Sequence, residues 1–348
     1  LRRTAVFNKL RLARAFLRKE LRSKEHVSFF RRAGLVARGF FSEADVIYAF
    51  EKYGYDAYLS DWDRLRTRKI NGEYSILLDN KIMFEQVFSR YFEVPENLCL
   101  MDGKKVVALG KDAPGSYAAA ADYLRRHGAA VFKPLKGGGG HGIFFARLEK
   151  GMLTVNGEEV TPEHFFDGIA RLCSAYLMTA FYEQGAFSQR LFPGTVNTLR
   201  IVTMIDPENG TPFIASCVQR IGTVRSAPTD NCEAGGLSVY VDPDTGVMGR
   251  AVVHPRGGAM EWMDAHPDTG IRFAGEYIPG WKEAAGLVLK TAGRFPLMPY
   301  VGWDIIFGDN GFCVVEGNSY TGVDLLQTHK PLLADERIRR FYSYYGII

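Results

Sequence analysis

Apolar positions recur with helical spacing at both ends of the chain and with strand spacing through its middle. In the first 22 residues Val6, Leu10, Ala13, Leu17 and Leu21 follow one another at steps of four and three, which predicts a helix with one apolar stripe. Arg3, Arg11, Arg14, Arg18 and Arg22 lie largely off that stripe. A second helix is predicted over Ser42–Tyr53, with Ser42 as its cap, Asp45 in its first turn and Gly54 past its end. A third begins after Asp79 through Lys81, Phe84, Val87 and Phe88, and Pro95 then marks an extended link. From residue 116 helices and strands alternate. Helix Tyr117–His127, strand Ala129–Lys133, strand Ile143–Leu148, a hairpin turn at Asn156-Gly157, helix Thr161–Leu172 and strand Tyr176–Phe181 follow in order. Long β stretches at 195–206, 211–222, 237–242 and 247–253 come next, then an irregular segment at 254–279. Helix Trp281–Gly293, strands Val301–Phe307 and Phe312–Glu316, and a terminal helix over 330–345 complete the pattern. Strands that follow one another without helices between them predict a largely antiparallel, α+β design. Three regions are expected: a helical basic region at 1–75, and two α+β lobes at 76–182 and 183–348.

The 348 residues carry a formal charge of +4, unevenly spread. Residues 1–33 hold eleven Lys/Arg against two Glu, while the rest holds 32 basic and 37 acidic side chains. The leader helix is therefore read either as lying on an acidic membrane or partner, or as packed on its own domain with a solvated basic face. No uncharged stretch exceeds eleven residues, Leu172–Tyr182 being one, which is too short to span a bilayer. Five scattered Cys with no Cys-x-x-Cys argue against a disulfide scaffold and fit a reducing compartment. A cytoplasmic location is expected, and no signal-peptide pattern is read, although the chain opens on Leu1 and its native start is expected upstream. No basic stripe crosses the body, so nucleic acid is not an expected partner.

The most informative segment is Val131-Phe-Lys-Pro-Leu-Lys-Gly-Gly-Gly-Gly-His-Gly-Ile143. Gly137, Gly139 and Gly142 fit G-x-G-x-x-G, but a strand follows them where a dinucleotide fold needs a helix. A P-loop is excluded because no Gly-Lys-Ser/Thr ends the run. Two readings remain: a glycine-rich hairpin that can close backbone N–H groups on phosphate oxygens, or a flexible surface connector, against which stands the ordering entropy of four successive glycines. Lys133 on the preceding strand and Lys136 at the loop edge can neutralise phosphate charge. A second cluster lies in the last hairpin. A turn at Asp309-Asn310-Gly311 brings Asp304 opposite Glu316, and Asn318 points the same way by the two-residue strand period. Two carboxylates and an amide suit Mg²⁺, which also binds substrate phosphates.

These residues resemble the ATP-grasp superfamily, and most closely its sugar-transfer-associated family. The matching stretches include Leu78-Asp-Asn-Lys81, Val196-Asn-Thr-Leu-Arg-Ile-Val-Thr203, Asp230-Asn-Cys-Glu-Ala-Gly-Gly236, His266-Pro-Asp-Thr-Gly270, Gly302-Trp-Asp304 and Glu316-Gly-Asn318. The resemblance implies two α+β lobes that hold ATP between them, with two Mg²⁺ ions. It implies Lys81 and Lys133 on the ATP phosphates, Gly137, Gly138, Gly139, Gly140 and Gly142 as the flap, and Asp304, Glu316 and Asn318 as metal ligands. Residues 178–183 would run under adenine. An acid often stands in that hinge where Ala180 aligns, and Glu183 is the nearby acid here.

The same resemblance puts Arg200, Arg220, Asp230 and Asn231 over the γ-phosphate and acceptor end. Two fixed guanidinium groups there can orient a carboxylate and stabilise phosphoryl-transfer charge. His141 can donate to a phosphate. Gly235 and Gly236 are candidates for a close approach to substrate, and His266, with His254 behind it, for substrate contact. Cys232 has no His partner in sequence and is not read as a nucleophile. The function expected is an ATP-dependent ligase that activates a carboxylate as an acylphosphate and couples it to an amine, the candidate substrates being small and derived from amino acids or sugars. The alternatives are a phosphotransferase acting on a sugar or other hydroxyl, and an inactive nucleotide-binding module.

Overall fold

A computed structural model describes residues 2–21, 23, 27–254 and 259–348, with residues 2–9 as backbone only. Two seven-stranded sheets, antiparallel at every pairing, carry the fold. The first is built from β1 (Asn97–Asp102), β2 (Lys105–Ala108), β3 (Ala129–Pro134), β4 (Phe144–Glu149), β5 (Met152–Val155), β6 (Glu158–Val160) and β7 (Tyr176–Ala180), in the order β2-β1-β7-β3-β4-β5-β6. The second comprises β8 (Leu199–Ile205), β9 (Pro212–Ile221), β10 (Leu237–Val241), β11 (Met248–Val253), β12 (Glu261–Met263), β13 (Tyr300–Phe307) and β14 (Phe312–Asn318), in the order β12-β11-β10-β9-β8-β13-β14.

Alternation along the central strands decides what faces the interior. On β3, Phe132 packs edge-on against Phe165 of helix Pro162–Ala170 at 5.0 Å, which turns Val131 and Lys133 to the opposite face. Strand β13 is buried along its whole length. Its Val301, Trp303, Ile305 and Phe307 join the core with helices Lys81–Phe88 and Trp281–Ala292, so Gly302 and Asp304 point the other way. Helix Lys81–Phe88 starts where it does because Asn80 Oδ1 accepts from the N–H groups of Ile82 (3.0 Å) and Met83 (3.2 Å). Phe88 then meets Trp303 at 5.5 Å, which fixes Lys81 on the first turn above the sheet. The region before residue 76 is pinned to β13 as well: Asn71 Nδ2 donates to Tyr300 O (2.6 Å) and Tyr300 N to Asn71 Oδ1 (3.2 Å).

Several expectations change. Ser42 caps nothing; the predicted helix is two short ones, Ala44–Ile47 and Phe50–Tyr53, and Ser42 N (2.8 Å) and Oγ donate to the buried carboxylate of Glu20. Helix Phe29–Ala37, capped by Ser28, was not anticipated. The link after Pro95 is the hairpin of β1 and β2, because Cys99 and Met101 bury against the helices on that face. The expected terminal helix is Glu336–Tyr344, and a further short helix, Asp324–His329, precedes it.

In the leader helix Arg2–Glu20, the face that packs is not the apolar stripe. Phe16 is 4% exposed and meets Phe41 (4.8 Å) and Trp62 (6.0 Å), while Glu20 holds Ser42 and Arg32. Leu10, Leu17 and Leu21 are 56, 51 and 81% exposed. One buried aromatic ring and one buried carboxylate thus outweigh three leucines in choosing the face. The side chains of Arg3 and Val6, and Arg22, lie outside the described residues. Among the described residues no helix is long and apolar enough to cross a membrane.

Candidate active site

Between the sheets lies a cavity of about 710 Å³. The predicted residues that line it are Lys81, Lys133, Gly137, Gly138, Gly139, Gly140, His141, Arg200, Arg220, Asp230, Asn231, Asp304, Glu316 and Asn318. One end is largely apolar, with Val131, Phe145, Thr179, Ala180, Phe181, Tyr182 and Ile306. This end suits a flat base, and it includes the expected hinge.

The two carboxylates meet through strand register. Asp304 pairs with Glu316 and Gly302 with Asn318 across β13 and β14, and a bulge follows Asp304. Gly317, between Glu316 and Asn318, faces the core: a Cβ there would lie 2.8 Å from Leu78 and 2.9 Å from Phe84, so only glycine lets helix Lys81–Phe88 sit this close. Asp304 receives Arg200 through Nε and Nη2 (2.8 Å to Oδ2), and Arg220 Nη2 at 3.0 Å. Burial opposes its charge, but the two arginines outweigh burial and hold its carboxyl well below the usual range. Burial and the charge of Asp304 push Glu316 the other way, above the ordinary carboxylate range. Burial lowers the Lys133 ammonium, and Glu316 opposes that.

A divalent cation fits this set. It would relieve the repulsion between Asp304 and Glu316, and Asn318, whose Nδ2 donates to Glu316 (3.4 Å) and to Gly302 O (3.3 Å), leaves its carbonyl oxygen as the third donor. Among the described residues no cluster of three His, Cys, Asp or Glu is present, so the amide completes the set.

Above the sheet Thr198 organises the arginines. Its Oγ1 accepts from Arg220 Nε (2.8 Å) and donates to Asp230 Oδ2, which also accepts from Thr198 N (2.9 Å). Arg200 Nη1 donates to Thr321 Oγ1 (2.7 Å). The flap crosses from the first sheet to meet these groups. Asn231 Nδ2 donates to Gly139 O (2.7 Å), and Lys81 Nζ lies 3.5 Å from Gly137 O. Gly139, Gly140 and Gly142 hold φ near +70°, which other residues adopt only with strain. A Cβ on Gly140 would also press on Thr229 at 3.4 Å.

Other predicted residues are not brought to the cavity lining. Glu183 pairs with Arg147 (3.1 Å) on the outside, and Lys136 is exposed. Gly142 packs under Tyr176, whose Oη would be 2.9 Å from a Cβ there. Gly235 and Gly236 pack on Arg225 and on the Asp230 carbonyl, where a Cβ would come within 2.8 and 2.7 Å. His266 is buried, bonds Gly222 O (2.7 Å) and stacks on Phe192 at 5.0 Å, so its work is to hold a loop. His254 pairs with Glu43. Burial pushes the Cys232 thiol up to about 12, which leaves it unreactive. Residues the sequence reading missed are Thr198, Thr321, Asp79, Ser319 and Tyr320. Thr198 lies inside the Val196–Thr203 match, and Ser319 and Tyr320 directly follow Glu-Gly-Asn, so position relative to the motifs was the available signal.

The family description "Sugar-transfer associated ATP-grasp" matches residues 63–338. The chain belongs to the sugar-transfer-associated ATP-grasp family. Membership in an ATP-grasp family brings ATP as the nucleotide, and the donor set described above fits the Mg²⁺ that would accompany it. Curated proteins give no match. Similar solved structures include a RiPP-associated ATP-grasp ligase from Chryseobacterium gregarium with ADP and a leader and core peptide (11% identity, TM-score 0.42, 80% of this chain and 66% of that one). The macrocyclase MdnC from Microcystis aeruginosa MRC with its precursor peptide shares 12% identity (TM-score 0.39, 80% and 64%), and an ADP complex of the purK N5-carboxyaminoimidazole ribonucleotide synthetase 9% (TM-score 0.43, 76% and 52%). The chain spans about three fifths of the length of the first such structures, the PsnB ligase complexes (62%).

Proposed function

We propose that this protein is an ATP-dependent carboxylate–amine ligase that forms ADP. The observation that carries this reading is the charge of the acceptor end. Guanidinium groups of Arg200 and Arg220 stand there, while the carboxylates around them are already engaged: Asp79 with Ser319, Asp230 with Thr198, Asp304 with both arginines, and Glu316 with Asn318 in the cation-binding set. A carboxylate acceptor arrives as an anion, needs cations to orient it and needs no base. A hydroxyl acceptor needs a group to take its proton, and the imidazole on the lining is His141 of the flap, set among the phosphate-covering glycines.

In the proposed reaction a carboxylate oxygen attacks the γ-phosphorus. The bond to the bridging oxygen breaks and ADP leaves. The amine nitrogen then attacks the acyl carbon, phosphate departs, and the amine proton goes to solvent. Lys81 and Lys133 hold phosphate oxygens, the flap excludes water, and Arg200 and Arg220 hold the acid in line. Bound Mg²⁺ would neutralise phosphate charge from Asp304, Glu316 and Asn318. We read residues 76–182 and 183–348 as the two lobes that close on ATP in the cytoplasm, and small acids and amines as the substrates.

Hydroxylamine tests the reading. With ATP, Mg²⁺ and a panel of small acids, a hydroxamate should accumulate with ADP. ADP formation that follows added sugars or alcohols and yields no hydroxamate would replace the ligase by the phosphotransferase.

The leader supports a contact of its own. Leu10, Leu17 and Leu21 lie exposed on one side of the helix, and Arg11, Arg14 and Arg18 are exposed beside them, a pattern suited to an anionic lipid surface. Co-sedimentation with phosphatidylglycerol vesicles should fall when Leu17 and Leu21 are changed to Ser. Equal sedimentation with neutral vesicles would remove the proposal.

A further inference from the structure

The wall of the cavity contributed by residues 64–75 carries a cation that the proposed reaction does not yet use. Four bases lie between Arg64 and Lys69, and three are spent on the protein. Arg64 Nε donates to Thr321 O (3.3 Å), Arg66 to Ile347 O and Gly346 O (both 2.6 Å), and Lys69 Nζ to Gly346 O (3.1 Å). Among the described residues the Arg68 guanidinium has no hydrogen bond and no ion pair, and the side chain is exposed. Its guanidinium lies 4.1 Å from the ring centroid of Tyr320, and that of Arg64 lies 4.3 Å from the same ring. Arg68, Tyr320, Ser75 and Gly72 all line the cavity. A Cβ built on Gly72 would meet nothing within 4 Å, so this wall is open.

Tyr320 is a fixed platform. Ser319 before it donates to Asp79 through N (3.1 Å) and Oγ (2.7 Å), and Thr321 after it is held by Arg200 and Arg64. Stacking on a held ring keeps the Arg68 fork planar and facing the cavity, which reduces the ordering cost of binding a planar anion. Two like charges against one ring also favour an anion between them and solvent.

Apart from Lys81 and Lys133, assigned to the nucleotide phosphates, the cavity therefore has two cation stations. One, Arg200 and Arg220, touches Thr321, is partly neutralised by Asp304 and Asp230, and adjoins the metal donors. The other, Arg68, sits on the neighbouring Tyr320 and is not neutralised. Resting on the ligase reading, we infer that Arg68 binds a second carboxylate of the acid substrate. The acid is then a dianion: one carboxylate is activated at the first station and the other is clasped at Arg68. Arg68 is a positioning and specificity residue, remote from the reacting atoms.

The test uses the full chain loaded with Mg²⁺ and the non-hydrolysable nucleotide AMPPNP, and calorimetry. Succinate, glutarate and adipate are titrated beside butyrate, pentanoate and hexanoate, in which a methyl replaces one carboxylate. Inorganic phosphate forms a separate arm. At least one dicarboxylate should bind tenfold or more tightly than its monoacid. R68M should abolish that preference while leaving the melting temperature and AMPPNP affinity unchanged, and Y320L should weaken it. Absence of any dicarboxylate preference in the wild type, or its persistence in R68M, overturns the inference. So does phosphate binding at Arg68 more tightly than every dicarboxylate. Failure of AMPPNP itself to bind would instead overturn the ATP reading beneath it.

Discussion

The two sheets meet the same cavity in opposite ways. From the second sheet come Arg200, Arg220, Asp304 and Glu316, all on strands and all half-buried or buried; the two arginines share Asp304, and hydrogen bonds tie Arg200 to Thr321 and Arg220 to Thr198. From the first come one lysine on a strand and a run of glycines that is exposed apart from its contacts with Asn231, Thr229 and Lys81. The second sheet is a charge framework built before any ligand arrives; the first supplies a cover. Such a division separates electrostatic arrangement, which needs rigidity, from closure, which needs freedom.

Changes on the framework side should cost both stability and turnover. Asp304→Asn leaves Arg200 and Arg220 without their shared carboxylate, a loss of about 3–5 kcal/mol in denaturant unfolding, with ATP turnover abolished. Undiminished stability would mean that the framework is not built as described. On the cover side the two effects should part. Lys133→Met should weaken AMPPNP binding by about 1.5–3 kcal/mol, the worth of a hydrogen bond to a charged group, with little change in melting temperature. Gly140→Val forces a side chain into a left-handed backbone and against Thr229, at about 1–3 kcal/mol against closure, read as lower turnover in a protein of normal stability. Asn231→Ala removes the latch to Gly139 and should cost least, about 1 kcal/mol in nucleotide affinity.

The acid pair adds a pH dependence. Glu316 is pushed above its ordinary 4.5 by burial and by Asp304, so its proton must leave before a cation binds. Mg²⁺ affinity should rise with pH through that raised range, each ion releasing a proton there, and then level off. The same shift makes the contribution of Glu316 to folding largest below 4.5 and smaller as pH rises through its raised value. Mg²⁺ affinity that does not change with pH above 4.5 would break the coupling.

Much of this arrangement was legible because it follows short-range rules. Strand alternation put Asp304 opposite Glu316, the four glycines marked the flap, and Asn156-Gly157 adopts the positive φ values of 53° and 89° that a tight hairpin requires. What was not legible depends on partners far apart in sequence. Ser42 looks like a helix cap until Glu20 takes both its donors; Glu183 looks like the acid of the hinge until Arg147 turns it outward; His266 looks available until Gly222 and Phe192 enclose it. The leader misleads for a related reason, because periodicity reports which face is apolar and not which face finds Phe41 and Trp62. Arg68 gave no signal at all, since its meaning comes from Tyr320, which is 252 positions away.

The central claim is that the framework on the second sheet holds the metal-bound nucleotide. Its most direct test is a calorimetric titration of AMPPNP into the wild type and the Asp304→Asn variant, each with and without Mg²⁺. Mg²⁺ should strengthen binding at least tenfold in the wild type and leave the variant, checked for native folding, unchanged. Equal strengthening in both proteins would contradict the account.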